Sequence, residues 1–206
     1  MADYLTTPDG RRIAYHRTDG AGPGVVFLGG FKSDMEGTKA VHLEAWAKAK
    51  GRAFLRFDYS GHGESSEAFE DGSIGDWAAD ARAAIGLIDG PLVLVGSSMG
   101  GWISLLLARA MPERIKALVL IAAAPDFTES MAAEFSDAQH VQLMEDGRTL
   151  RPSDYGDPYV ITRRLIEDGR QNLVLRTPLA LPFPVRMLWG TADDAVTMDV
   201  QLRLME

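Results

Sequence analysis

The chain has no cysteine among its 206 residues, which excludes disulfides, thiolate metal sites and a thiol nucleophile. Histidine is scarce: His16, His42, His62 and His140 are scattered, with no metal-ligand spacing. Long apolar runs are missing as well. The longest, Ala117 to Pro125, is far short of the roughly 18 residues that a membrane span needs. The opening residues, Met1 to Thr7, carry no apolar stretch of signal-peptide length. These absences predict a soluble, cytoplasmic protein with no membrane span. Positive charge is in deficit, with Lys+Arg 21 against Asp+Glu 29 and a net charge of −8. The field of such a chain repels phosphate backbones, so no nucleic-acid partner is expected. No Gly-rich phosphate loop with its lysine occurs, which leaves a nucleotide role without support.

What is present is enough apolar material for one sizeable core: 46% of residues are hydrophobic and 24% charged. The length lies within the range of a single domain. Short apolar runs alternate with helix-like segments. Arg11–His16, Gly24–Leu28, Arg52–Phe57, Leu92–Val95, Ile115–Ala122 and Val185–Trp189 are strand-like. Helices are predicted from Gly37 to Lys50, from about Ser73 to Asp89 and from about Met99 to Met111. A last one is predicted with Thr197 as its cap. Alternation of this kind requires βαβ crossovers, so the predicted fold class is α/β with a mostly parallel sheet. The rhythm breaks after Pro125. Residues 1–124 form the first part of the core, 125–183 a lid or cap insertion, and 184–206 the second part. The first helix of the insertion is expected to carry Met131, Phe135, Ala138 and Val141 on one face, as a packed stripe or an acyl-binding wall.

The informative block is Gly96-Ser97-Ser98-Met99-Gly100-Gly101. It fits Gly-x-Ser-x-Gly only when centred on Ser98, and it lies between a predicted strand and a predicted helix, as a nucleophile elbow requires. The residues two before and two after the serine must lack side chains, because strand and helix pass closely there. The Met99 N–H, at the helix N-terminus, is then placed to meet an oxyanion. A second donor is expected from the loop after an earlier central strand, and Phe31 in Gly29-Gly30-Phe31-Lys32-Ser33-Asp34 occupies that place. A serine hydroxyl needs a base and an acid to orient it. The acid of such a fold follows the strand after the insertion, which selects Asp193, with Asp194 as runner-up. No histidine follows Asp193 in the sequence.

At these residues the sequence resembles the α/β-hydrolase superfamily. Within it, the similarity is to the group of mitochondrial abhydrolases that contains palmitoyl-protein thioesterases and acyl-glucuronide esterases, with bacterial relatives. The carrying motifs are Gly30 to Ala40, Arg56 to Ser65 and Gly96 to Trp102, of which Ser33–Ala40 is the most specific to the group. The resemblance implies Ser98 as nucleophile, Asp193 as acid of a Gly-x-x-Asp-x-x-Val motif, and Phe31 and Met99 as oxyanion donors. It implies hydrolysis of acyl thioesters or carboxylic esters through an acyl-serine, without cofactor or metal, on a small acyl ester or an acylated protein. It also implies roughly 50 further residues carrying a last strand, the base histidine and a closing helix, so that the chain as given is impaired. The alternative expectation is a non-catalytic scaffold of the same fold that binds acyl ligands or protein partners.

Overall fold

The computed structural model describes residues 1–153 and 157–206. In chain order the elements are β1 (Asp3–Thr6), β2 (Arg12–Thr18), β3 (Ala21–Leu28), α1 (Thr38–Ala49), β4 (Arg52–Phe57), α2 (Ile74–Ile85), β5 (Leu92–Ser97), α3 (Met99–Ala110) and β6 (Ile115–Ile121). They continue with α4 (Phe127–Ala133), α5 (Asp137–Glu145), β7 (Arg148–Arg151), β8 (Tyr159–Thr162), α6 (Arg163–Gln171), β9 (Val185–Leu188) and α7 (Met198–Arg203). Seven strands form one sheet in the order β1-β2-β4-β3-β5-β6-β9, and β7 and β8 pair as a separate hairpin. β1, β2 and β4 pair antiparallel, whereas β4-β3-β5-β6-β9 run parallel.

Why the central strands read as unbroken apolar runs is visible in their two faces. Val25, Phe27, Val93, Val95, Val119 and Ile121 pack with Ala40 and Ala47 of α1 on one side. Val26, Leu28, Leu92, Leu94, Leu118 and Leu120 pack on the other, against α2, α3 and the segment after β6. A strand covered on both faces has no polar side to show. Because these strands are parallel, the loops after β3, β5, β6 and β9 emerge along one edge of the sheet, where open α/β folds place their ligands.

Two expectations need correction. The helix from Ser73 ends at Ile85 rather than Asp89. Gly86, Leu87 and Ile88 donate instead to carbonyls three residues back, at 3.0–3.1 Å, tightening the chain into a turn. The single apolar helix of the insertion is two helices. Ser136 and Gln139 form a reciprocal capping box that starts α5 afresh, so Met131 and Phe135 are buried while Ala138 and Val141 face outward. Thr197 is the N-cap of α7, as expected, and its side chain makes no bond to the helix. β1 and the β7–β8 hairpin were not predicted. Both are four-residue pieces, too short for a periodic signal. Residues 154–156 of the predicted insertion lie outside the described residues.

Candidate active site

Ser98 joins β5 to α3 with φ 52° and ψ −117°, a conformation that a residue with a Cβ adopts only under constraint. The constraint is the packing of its neighbours. A Cβ on Gly96 would strike Gly100 O and Ser104 Oγ, and one on Gly100 would strike the Leu28 and Gly29 backbone. A Cβ on Gly101 would meet Ala123. The glycines let strand and helix close on each other, and the turn between them has no room to relax. Backbone bonds hold it from both sides: Ser98 N–H donates to Ile121 O at 3.0 Å, and Ser98 O accepts from Gly101 N–H at 2.9 Å and Ala124 N–H at 3.1 Å.

The loop after β3 lies beside this turn, since a Cβ on Gly30 would sit 3.5 Å from Ser98 Cβ. Among the described residues, neither Phe31 N–H nor Met99 N–H has a hydrogen-bond partner. Aromatic packing holds the Phe31 ring edge-on to Phe69 (4.9 Å), Phe127 (5.4 Å), Tyr159 (5.9 Å) and Trp77 (6.0 Å) between centroids. The next residue, Lys32, takes φ 57° and donates its N–H to His62 Nε2 at 3.2 Å. The other ring nitrogen of His62 faces Ser60 O at 3.0 Å. Since Nε2 accepts, Nδ1 carries the proton and donates. Burial lowers the His62 pKa, which keeps that neutral tautomer in place.

Further support comes from two buried carboxylates that the sequence reading did not single out. Asp58 accepts from Met35 N–H at 2.6 Å and Glu64 N–H at 2.9 Å. Burial raises its pKa, and those two backbone bonds pull in the opposite sense. Asp80 accepts from Ser60 N–H and Oγ at 2.9 and 2.6 Å and from Arg11 Nε at 2.8 Å. Asp80 sits on a helix interior and its partners are 20 and 69 residues away, so no local pattern could have revealed them.

Asp193 follows β9. Ser97, Ile121 and Leu188 are level across β5, β6 and β9, so Ser98 and the Asp193 loop leave the same sheet edge about two strand spacings, roughly 10 Å, apart. One carboxylate oxygen of Asp193 accepts from Ala195 N–H at 3.0 Å and Val196 N–H at 2.9 Å. Asp194, the runner-up, is exposed. No hydrogen bond joins any of the four histidines to Ser98 or Asp193 among the described residues. His16 faces Glu36, His140 stacks edge-on to Phe135, His42 is exposed on α1, and both ring nitrogens of His62 are engaged.

A model of the alpha/beta hydrolase family matches residues 25–205. The chain belongs to that family. Among curated proteins it is 36% identical over 196 residues to the mitochondrial palmitoyl-protein thioesterase ABHD10 of Bos taurus, covering 94% of this chain and 64% of that one. To the Homo sapiens protein of the same name it is 34% identical over 204 residues, covering 98% and 67%. The chain thus spans about two thirds of the length of these relatives. Among solved structures, a hydrolase from Agrobacterium vitis S4 superposes with a TM-score of 0.94 at 38% identity, covering 100% of this chain and 84% of that one. Mouse alpha/beta hydrolase domain-containing protein 10 gives 0.90 at 32% identity, covering 100% and 83%. The cytoplasmic expectation does not stand, because the curated relatives at this identity are mitochondrial proteins. It rested on the lack of a signal peptide and of a membrane span, neither of which distinguishes the two compartments. Among the described residues no helix is long and apolar enough to cross a membrane.

Proposed function

We propose that the chain is a serine hydrolase of acyl thioesters or carboxylic esters. Ser98 Oγ attacks the acyl carbonyl and gives up its proton, the carbonyl oxygen gathers negative charge, and the C–S or C–O bond breaks as the leaving group takes that proton and departs as a thiol or alcohol. Water then hydrolyses the acyl-serine to the free acid and restores the hydroxyl. Phe31 and Met99 N–H are the donors for the developing oxyanion, and Asp193 is the acid that orients a base. The observation that carries this reading is the constrained Ser98 backbone, flanked by two unpartnered N–H groups. An ordinary strand–helix turn has no reason to hold a non-glycine residue at φ 52°. The likeness to proteins named palmitoyl-protein thioesterase supports an acyl thioester as the substrate class.

The segment 125–183 acts as a cap on the single domain. Phe127 of α4 and Tyr159 of β8 meet the Phe31 ring, and Phe127 also meets Trp102 of α3 at 5.5 Å. These aromatic surfaces supply an apolar wall for the acyl chain.

No residue of the sequence follows Asp193 as an imidazole base. Among the described residues no histidine is hydrogen-bonded to Ser98 or Asp193, and that geometry favours a second reading, a scaffold that binds acyl ligands without turning them over. Prolonged incubation with a fluorophosphonate, read by intact mass, separates the two. A single adduct on Ser98 that disappears in Ser98→Ala supports the hydrolase; a chain that stays unmodified overturns it in favour of the scaffold.

A further inference from the structure

The most group-specific stretch of the sequence, Ser33–Ala40, takes no part in the chemistry above. It builds one wall of a cleft of about 400 Å³ beside Ser98, lined also by Phe27, Gly30, Phe31 and Ser97. The N-terminus of the twelve-residue helix α1 opens into this cleft: Gly37, Thr38, Lys39 and Ala40 all line it. Its N-cap is Gly37, which has no side chain to satisfy the first turn, and that turn contains no acidic residue. Among the described residues, the N–H groups of Thr38, Lys39 and Ala40 have no partner, and Lys39 makes no ion pair. Unsatisfied donors at a helix start carry the positive end of its dipole.

A second, independent observation lies across the cleft. Ser97 is only 8% exposed, and its hydroxyl has no hydrogen-bond partner within the protein among the described residues. It faces α1. Val93 and Val95, two and four positions earlier on β5, and Ile121, its neighbour across the sheet, all pack on the α1 side. Ser97 lines the same space as the helix N-terminus, so its hydroxyl is free to donate there.

We infer that this cleft is an anion subsite, taking a carboxylate or phosphate group of the substrate beside the bond that Ser98 attacks. The backbone N–H groups of Thr38, Lys39 and Ala40, the Ser97 hydroxyl and the Lys39 ammonium supply its donors. Of the remaining polar groups, Ser33 Oγ donates to Gly30 O at 2.8 Å, and Asp34 accepts from Glu36 N–H at 2.9 Å. The Asp34 charge on the wall opposes an anion and holds the affinity in about the millimolar range. Arg56 anchors the loop from behind, donating to Met35 O at 3.0 Å and pairing with Glu44 of α1 at 2.9 Å.

Binding at the cleft stands on its own geometry, whereas its use by a substrate rests on Ser98 being the nucleophile. The test is a titration of the isotope-labelled chain with inorganic phosphate and, separately, with acetate, at constant ionic strength, read by amide chemical shifts. Saturable shifts of the Thr38, Lys39 and Ala40 amides are expected, and the anion that binds more tightly identifies the preferred group. Lys39→Glu weakens binding by roughly tenfold, Ser97→Ala by roughly threefold, and Asp34→Asn tightens it. The amide spectrum itself reports whether each variant is folded, and Lys39 is exposed, so its variant retains the fold. Linear, non-saturating shifts with both anions, or equal affinity in Lys39→Glu, overturn the inference. Fluorophosphonate labelling of Ser98 is read separately. Labelling without anion binding removes the subsite alone, and anion binding without labelling removes the hydrolase reading alone.

Discussion

The centre of the sheet and its margin hold the two ends of the same candidate site in different ways. At the centre, Ser98 is fixed by side chains that are missing: Gly96, Gly100 and Gly101 have no space for a Cβ, and the strands on either side are covered on both faces. At the margin, Asp193 follows a four-residue edge strand whose residues alternate between half-buried and exposed. Its carboxylate is held by N–H groups two and three residues along its own loop. Above Gly190, at the start of that loop, there is open space. The serine is positioned by tertiary packing and the acid by local turn chemistry, so sequence changes at the two places differ in reach.

The sharpest way to break that contrast is a pair of identical substitutions. Gly100→Ala drives a methyl into the Leu28 and Gly29 backbone and is expected to lower unfolding stability by about 3 kcal/mol. Gly190→Ala meets nothing within 4 Å and is expected to stay within about 0.5 kcal/mol of the parent. Urea denaturation midpoints measure both. Similar losses in the two variants, whatever their size, end the contrast.

The next effect in size concerns the support under the Phe31 loop. His62→Gln removes a ring that packs edge-on against Tyr59 (5.5 Å) and Trp77 (5.2 Å) and disturbs the acceptor for Lys32 N–H, an expected cost of about 1–2 kcal/mol at neutral pH. It also changes the response to acid. Burial lowers the His62 pKa from its ordinary 6.5, so below pH 6.5 the unfolded chain binds the proton that the folded chain refuses. The stability His62 contributes is complete above 6.5 and is lost as the pH falls toward its lowered value. Asp58 acts in the opposite sense. Burial raises its pKa above 3.8, so the folded chain takes up a proton first, and its contribution grows as the pH falls through that raised value. Stability measured from pH 7 downward should therefore decline in the parent just below 6.5 and decline less steeply in His62→Gln. Parallel curves for the two would mean that protonation of His62 is not what weakens the loop.

Legibility in the sequence follows the same division. The buried strands announce themselves as continuous apolar runs, and Gly96-Ser97-Ser98-Met99-Gly100 marks the turn because the steric requirement is local. The sequence therefore locates β3, β5, β6 and Ser98 closely. It does not reveal what holds the Phe31 loop, since Asp58, Asp80 and His62 work through contacts that only the folded topology creates. The break between α4 and α5 was readable in principle, because Ser136 and Gln139 have capping-box spacing. The apolar spacing of Met131 and Phe135 masked it by continuing smoothly across the boundary.

The margin makes a prediction about association. Leu188 is 56% exposed on β9, an edge strand, and an uncovered strand edge with an apolar side chain invites pairing with a second copy. Sedimentation velocity across a concentration series should show reversible self-association, reduced in Leu188→Lys. A concentration-independent monomer would show that the margin, for all its exposure, is protected.

The cap carries a flaw that extends the comparison to the smallest scale. Thr128 of α4 is fully buried, and its hydroxyl has no partner among the described residues. It is pressed against Gly169 of α6, where a Cβ would collide with it. An unsatisfied buried hydroxyl costs free energy that an isosteric methyl does not. Thr128→Val is therefore expected to raise stability by up to about 1 kcal/mol, measured by the same urea midpoints as the glycine pair. A loss of stability instead would mean that the hydroxyl is bonded in solution, so that the packing of α4 against α6 leaves no unused polar group at this point.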